Sequence, residues 1–272
     1  MPELVHQELT GDMIGAYYEV FNHTPRMYPE HICEGAMVEE LRLRGRVVTR
    51  QDEYRILYKE HLVGVQQLDL FVAQEVCAEL KVVEHLTSLH KAQCISYLKT
   101  VDKQVGLLFN FGSQTPEFHR LYFNPAKRAS ALPEKKVITP SPDWLYPDLA
   151  YQIVGGLYQV HTILGAGFVH RIYANACYHE FGLQSLAVKP AKRMQVTYKG
   201  AVIGDMAFGH VVVEGVIMVF PVAIGDINAI HLDSLKDWMR LCGIRLGIMA
   251  NFDAIHLKPI FISNSNFGII AA

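Results

Sequence analysis

"VQQLDLFVAQEVCAELKVV", residues 65 to 83, decides how this chain is read. Its two halves alternate in polarity and are rich in Val, Leu and Phe, which predicts two strands joined as a hairpin. Side chains two apart in a strand share a face, so Glu79 and Lys81 lie on one side while Leu80 and Val82 take the other. A charged group on a buried strand face costs on the order of several kcal/mol unless compensated. Asp69, in the middle of the preceding strand, comes near Glu79 across the hairpin. Two carboxylates held close repel, and the pKa of at least one rises unless a cation sits between them. The pair therefore asks for a metal, and hard oxygen ligands in a partly wet site suit Mg2+ or Mn2+ rather than zinc. Lys81, on the same face, is placed either to serve a water molecule or to stay charged and neutralise a developing negative charge.

Working outward, the chain repeats itself. "IGAYYEV" (14 to 20) answers "VGGLYQV" (154 to 160), and "KQVGLLFNF" (103 to 111) answers "IRLGIMANF" (244 to 252). Between them "LYKEHLVGVQQLDLFVAQEVCAELKVV" answers "TYKGAVIGDMAFGHVVVEGVIMVFPVA". A period this long means duplication of a domain rather than a solenoid. The stretch "NPAKRASALPEKKVITPSPDWLYPD" holds Pro125, Pro133, Pro140, Pro142 and Pro147 and reads as a linker. The expected organisation is one domain over 1–124, a linker over 125–147 and a second domain over 148–272. Each copy reads as helix, three-strand meander, helix and strand, which makes an α/β sandwich of mixed strands.

Asp69 followed by Glu79-Leu80-Lys81 resembles the D…(D/E)-x-K signature of the PD-(D/E)xK nuclease superfamily. "KAQCISYLK" (91 to 99) adds Gln93 and Tyr97, similar to the Q-x-x-x-Y helix motif of RecB-like members, and the spacing of four puts both on one helix face. "MYPEHIC" (27 to 33) resembles the G-x-x-E-x-x-Y motif of the bacterial GxxExxY proteins within that superfamily, with Glu30 in the acidic position. Met27 and Cys33 stand where that motif has Gly and Tyr, and are read as packing positions. The similarity runs over residues 9 to 123.

The resemblance implies two tandem restriction-endonuclease-like α/β sandwich domains, each with a mixed central sheet flanked by helices. It also implies metal-dependent hydrolysis of nucleic-acid phosphodiester bonds, DNA rather than RNA, through the first domain. In that scheme Asp69, Glu79, Glu30 and the Leu80 backbone carbonyl hold Mg2+ or Mn2+. Lys81, Gln93 and Glu30 act in catalysis, and Gln93 and Tyr97 support the substrate phosphate.

The second copy has lost these groups. "GFVHRIY" (167 to 173) keeps Gly167 and Tyr173 but puts His170 in the acidic position, while His210 replaces the strand Asp, Phe220 the Glu, Val222 the Lys, and Ser234 falls where Gln93 would be. Replacing buried ionic groups by apolar ones is often neutral or stabilising by roughly 1 to 4 kcal/mol, so Phe220 and Val222 read as a plug. Two histidines without a third ligand make a poor metal site. Nuclease domains of this fold commonly act in pairs, so the resemblance leaves room for a homodimer or for intramolecular pairing of the two copies.

Composition adds exclusions. A formal charge of -2 over 272 residues does not make a basic nucleic-acid coat. Five scattered cysteines without a C-x-x-C pair form neither a zinc ribbon nor a disulfide framework. With neither a signal-like N-terminus nor an apolar run long enough to span a bilayer, a cytoplasmic protein off the membrane is expected. His85 and His90 are read as solvated, as are Lys127, Arg128, Lys135 and Lys136 in the linker. The competing class is a non-catalytic module that binds nucleic acid or protein, favoured by the degenerate second copy. A small-molecule enzyme trails for want of a Gly-rich or cofactor motif.

Overall fold

The computed structural model describes residues 5–26, 28–124, 145–225, 230, 232–254 and 256–264, with the side chains of 191–197 and 205–209 excepted. Met27 and most of the expected linker lie outside these residues.

The first repeat opens with two helices, α1 (Gln7–His23) and α2 (Glu30–Leu43). α1 buries Leu9, Met13, Ala16, Tyr17 and Val20, the spacing of one helix face, and α2 buries Cys33, Met37 and Leu41 in the same way. Three strands follow, β1 (Val48–Tyr58), β2 (His61–Val72) and β3 (Val76–Lys81), then α3 (Ser88–Thr100), β4 (Val105–Asn110) and β5 (Glu117–Tyr122). The sheet runs in the order β1-β2-β3-β4-β5. β2 and β3 pair antiparallel, β3 and β4 parallel, β4 and β5 antiparallel. The parallel pair needs the α3 crossover that the sequence supplies between them. The sheet is thus mixed and flanked by helices, as expected, with β5 as an added edge strand.

The two faces of β3 carry different cores. Val76, Ala78 and Leu80 pack with α1 and α2 residues such as Met13, Tyr17 and Met37. Cys77 joins Tyr97 and Leu98 of α3 together with Phe71, and alternation places Glu79 and Lys81 on the Cys77 face. α3 approaches β4 closely at Gly106, where a Cβ would stand 2.9 Å from Cys94 Sγ.

The second repeat follows the same order: α4 (Pro147–Leu164), α5 (His170–Leu183), β6 (Val188–Tyr198), β7 (Ala201–Val213), β8 (Ile217–Val222), α6 (Leu232–Leu241), β9 (Leu246–Asn251) and β10 (Ile260–Ser263). Its sheet is β10-β9-β8-β7-β6, with β8 and β9 parallel. Contacts divide the chain into two compact units, one of 1–56 with 65–129, the other of 57–64 with 130–272. The tip of the β1–β2 hairpin therefore belongs to the second unit. Cys33, Cys77, Cys94 and Cys177 are buried free thiols and Cys242 is exposed. No helix among the described residues is long and apolar enough to cross a membrane.

Candidate active site

The β2–β3 register brings the strand carboxylates together. Leu70 is paired with Ala78, so Asp69 and Glu79 are the next residues along, and the Leu80 N–H donates to Asp69 Oδ2 at 2.8 Å. Glu79 is fully buried. Lys81 Nζ lies 2.7 Å from Glu79 Oε1 and 3.3 Å from Glu30 Oε1, and donates to the Leu80 carbonyl at 2.8 Å. The contact with Glu79 has ion-pair distance without hydrogen-bond geometry, so neither Glu79 oxygen accepts a hydrogen bond among the described residues.

The charges reflect this crowding. Burial pushes Asp69 up to about 6, with the Leu80 N–H and Lys81 opposing it. Glu79 is held well above the ordinary carboxylate range by burial and by Asp69. Burial alone would lower the Lys81 pKa, but the attraction of Glu79 outweighs it and keeps the ammonium charged. A cation bound beside them would offset the cost that burial, and at Glu79 the neighbouring Asp69, places on the ionised carboxylates.

α2 contributes two further carboxylates. Glu30 opens the helix behind Pro29, and Glu34 follows one turn later on the same face. Oxygens of Glu30, Glu34 and Asp69 lie within 4.8 Å of one another. Glu34 is almost fully buried and accepts from Arg50 Nε at 2.9 Å and Gln51 Nε2 at 2.7 Å. Gln51 also reaches Asp69 Oδ1 at 3.4 Å, and its backbone is in the left-handed region at φ 58°, a conformation that costs an L residue on the order of 1 kcal/mol. Sequence reasoning missed Glu34, Arg50 and Gln51. The spacing of Glu34 four residues after Glu30 was its available signal. The donor set, three carboxylates from Glu30, Glu34 and Asp69 with the buried Glu79 next to Asp69, fits a hard divalent cation.

α3 presents Gln93 and Tyr97 to each other, Gln93 Nε2 donating to Tyr97 Oη at 2.7 Å. Tyr97 is buried, and its hydroxyl pKa is raised by burial and then by Glu79, which ties it electrostatically to the acidic group. No direct bond joins Gln93 to Asp69, Glu79 or Lys81 among the described residues. His90 serves as a helix cap: its N–H donates to Thr87 Oγ1 at 3.4 Å, and its Nδ1 accepts the Thr87 N–H at 3.2 Å. His85 is exposed beside Glu84. Cys33 is buried in the α1–α2 core.

In the second repeat the corresponding place is filled. Val211 is paired with Val219, which makes His210 and Phe220 the next residues along, with ring centroids 6.3 Å apart. Phe220 is buried in a cluster with Met218, Met239 and Met249, and Val222 packs against that cluster. Ser234 is exposed. His170 begins α5, and burial lowers its pKa.

The family model described as the PD-(D/E)XK nuclease superfamily matches the chain twice, over residues 7–121 and 147–262. A search of curated proteins returned no match, nor did a search of solved structures.

Proposed function

Because the chain belongs to the PD-(D/E)XK nuclease superfamily, we propose that its first repeat is a Mg2+- or Mn2+-dependent phosphodiesterase that cleaves DNA, and that its second repeat does not cut. Membership implies nuclease-type chemistry. The finer reading rests on Glu79, buried beside Asp69 and Lys81 with no hydrogen bond to either oxygen.

Asp69, Glu79, Glu30 and Glu34 would hold the ion, with the Leu80 carbonyl at the rim. The ion would supply Lewis acidity toward a phosphoryl oxygen and lower the pKa of a water molecule. In the reaction, water attacks phosphorus, one P–O bond forms, and the bond to a sugar oxygen breaks. Lys81, ion-paired with Glu79 and Glu30, is placed to neutralise the charge that grows on the phosphoryl oxygens. Gln93 and Tyr97 hold the phosphate from α3. Gln51 steadies Asp69 and Glu34 from β1, a positioning role.

A binding role is the reading favoured for the second repeat, because Phe220, packed in an apolar cluster, stands at the position that Glu79 holds in the first. The test is incubation of labelled single- and double-stranded DNA and RNA with the intact chain and with Lys81→Ala. Metal-dependent cleavage of DNA that the variant loses is expected. No cleavage by the intact chain, together with no metal binding, would refute the proposal.

A further inference from the structure

The proposed cleavage leaves His90 unused, yet the fold carries it to the acidic site. On α3 (Ser88–Thr100), Cys94 stands over Gly106 of β4, where a Cβ would lie 2.9 Å from its Sγ, and Gly106 is paired with Cys77 of β3. β3 and β4 are parallel, so the α3 crossover between them runs the opposite way, and a step back along α3 follows β3 toward Lys81. Four residues of helix cover about 6 Å and two of strand about 6.6 Å. His90, one turn before Cys94, therefore stands level with Glu79, the next residue beyond Cys77 on that face of β3. Helical side chains lean toward the helix N-terminus, which here is the Lys81 end of the strand. Lys81 and Glu30 accordingly act on the imidazole electrostatically, together with Glu117 of β5.

The bonds of the ring decide what it can offer. Nδ1 accepts the Thr87 N–H at 3.2 Å, so a neutral His90 carries its proton on Nε2. Burial, and then Lys81, lower the pKa of the ring below its ordinary value, which keeps it neutral at pH 7. With Nδ1 occupied, no lone pair is left for a metal ion. What remains is a half-buried ring whose Nε2–H has no acceptor among the described residues. Gln93 and Tyr97 continue the same face of α3 one and two turns farther in.

We propose, on the nuclease reading above, that His90 binds substrate in the first repeat, its Nε2–H donating to an oxygen of the DNA phosphate next to the one cleaved. Gln93 and Tyr97 lie deeper on the same helix face and serve the scissile phosphate, so the ring at the rim meets its neighbour. A phosphodiester brings negative charge up to Glu30, Asp69 and Glu79, and Lys81 is already shared by two of these carboxylates. A neutral donor adds a hydrogen bond to the phosphate without drawing on that charge. The neighbouring phosphate is unchanged by the reaction, so the bond contributes equally to ground state and transition state and serves binding rather than the chemical step.

Cleavage kinetics of the full chain with Mg2+ test this. His90→Ala should raise KM for DNA by about tenfold, as loss of one hydrogen bond to a charged group does, with kcat within about twofold of the parent. Thr87→Ala removes the hydroxyl that caps α3 and leaves the ring in place, so it should lower the thermal unfolding midpoint and keep KM as it is. DNA substrates that each carry one neutral methylphosphonate beside the scissile phosphate give the direct readout. At one position the replacement should raise KM by about tenfold for the intact chain and hardly at all for His90→Ala. A KM that His90→Ala does not move, or replacements that affect both proteins equally at every position, would overturn the proposal while cleavage by the intact chain still upheld the nuclease reading. No cleavage by the intact chain would overturn both.

Discussion

Replacing Asp69 by Asn should stabilise the metal-free protein, although it removes a residue assigned to the site. Burial pushes Asp69 up from 3.8 to about 6. Each tenfold change in proton affinity is worth about 1.4 kcal/mol, so holding this carboxylate ionised costs the folded chain about 3 kcal/mol at pH 7. Below about pH 4 the group is protonated in both folded and unfolded chains and the cost is absent. It grows as pH rises from about 4 to about 6 and stays constant above that. Asn has nearly the same shape, cannot ionise, and keeps an oxygen for the Leu80 N–H. Asp69→Asn should therefore gain about 1 to 3 kcal/mol at pH 7, the lower figure allowing for the lost attraction to Lys81, and the gain should shrink toward zero near pH 4. Urea denaturation of both proteins in chelator, from pH 4.5 to 8, reads this directly. A variant less stable than its parent at pH 7, or a gain equal at every pH, would refute the reasoning.

Adding Mg2+ or Mn2+ should offset most or all of that difference. The parent gains about 2.7 kcal/mol at one hundred times its dissociation constant, and Asp69→Ala gains nothing, as urea denaturation with and without the ion would show. Glu34→Gln should weaken metal binding by about tenfold, within the range measured for groups that tune a metal site, by isothermal titration. At Gly112 a Cβ would meet the backbone of Val83 at 2.5 and 2.7 Å. Gly112→Ala should accordingly lower stability by about 1 to 3 kcal/mol in thermal unfolding, since backbone cannot move aside as a side chain can. Phe220→Glu should not create a metal site and should cost about 3 to 5 kcal/mol, the penalty for an unpaired buried charge, again by denaturation.

The β2–β3 hairpin was legible because period-two alternation fixes which side chains share a face, and the same alternation put Glu79 beside Lys81. The order helix, three strands, helix and strand was legible in both copies, and the structure buries Met13, Tyr17 and Val20 on one face of α1. Three things were hidden. β2 begins at His61 rather than Val65, because the hairpin turns on Lys59 and Glu60 at φ 43° and 70°, left-handed positions that a sequence normally marks with Gly or Asn. The second repeat shows the mark openly at Lys199-Gly200 and Glu214-Gly215, at φ 48° and 83° and at 50° and 72°. β5 was missed because Glu117 to Leu121 are all half-buried, with Tyr122 exposed, so no clean alternation announces it. Glu34 was hidden for a different reason: a glutamate in a helix is usually solvated, and only the fold brings Arg50, Gln51 and Asp69 to it.

The most direct measurement is DNA cleavage with Mg2+ by the full chain, compared with Glu79→Gln in the first repeat and Phe220→Leu in the second. The account predicts that Glu79→Gln abolishes cleavage while folding normally, and that Phe220→Leu leaves it intact. Cleavage that survives Glu79→Gln, or that is lost only on changing Phe220, would contradict it.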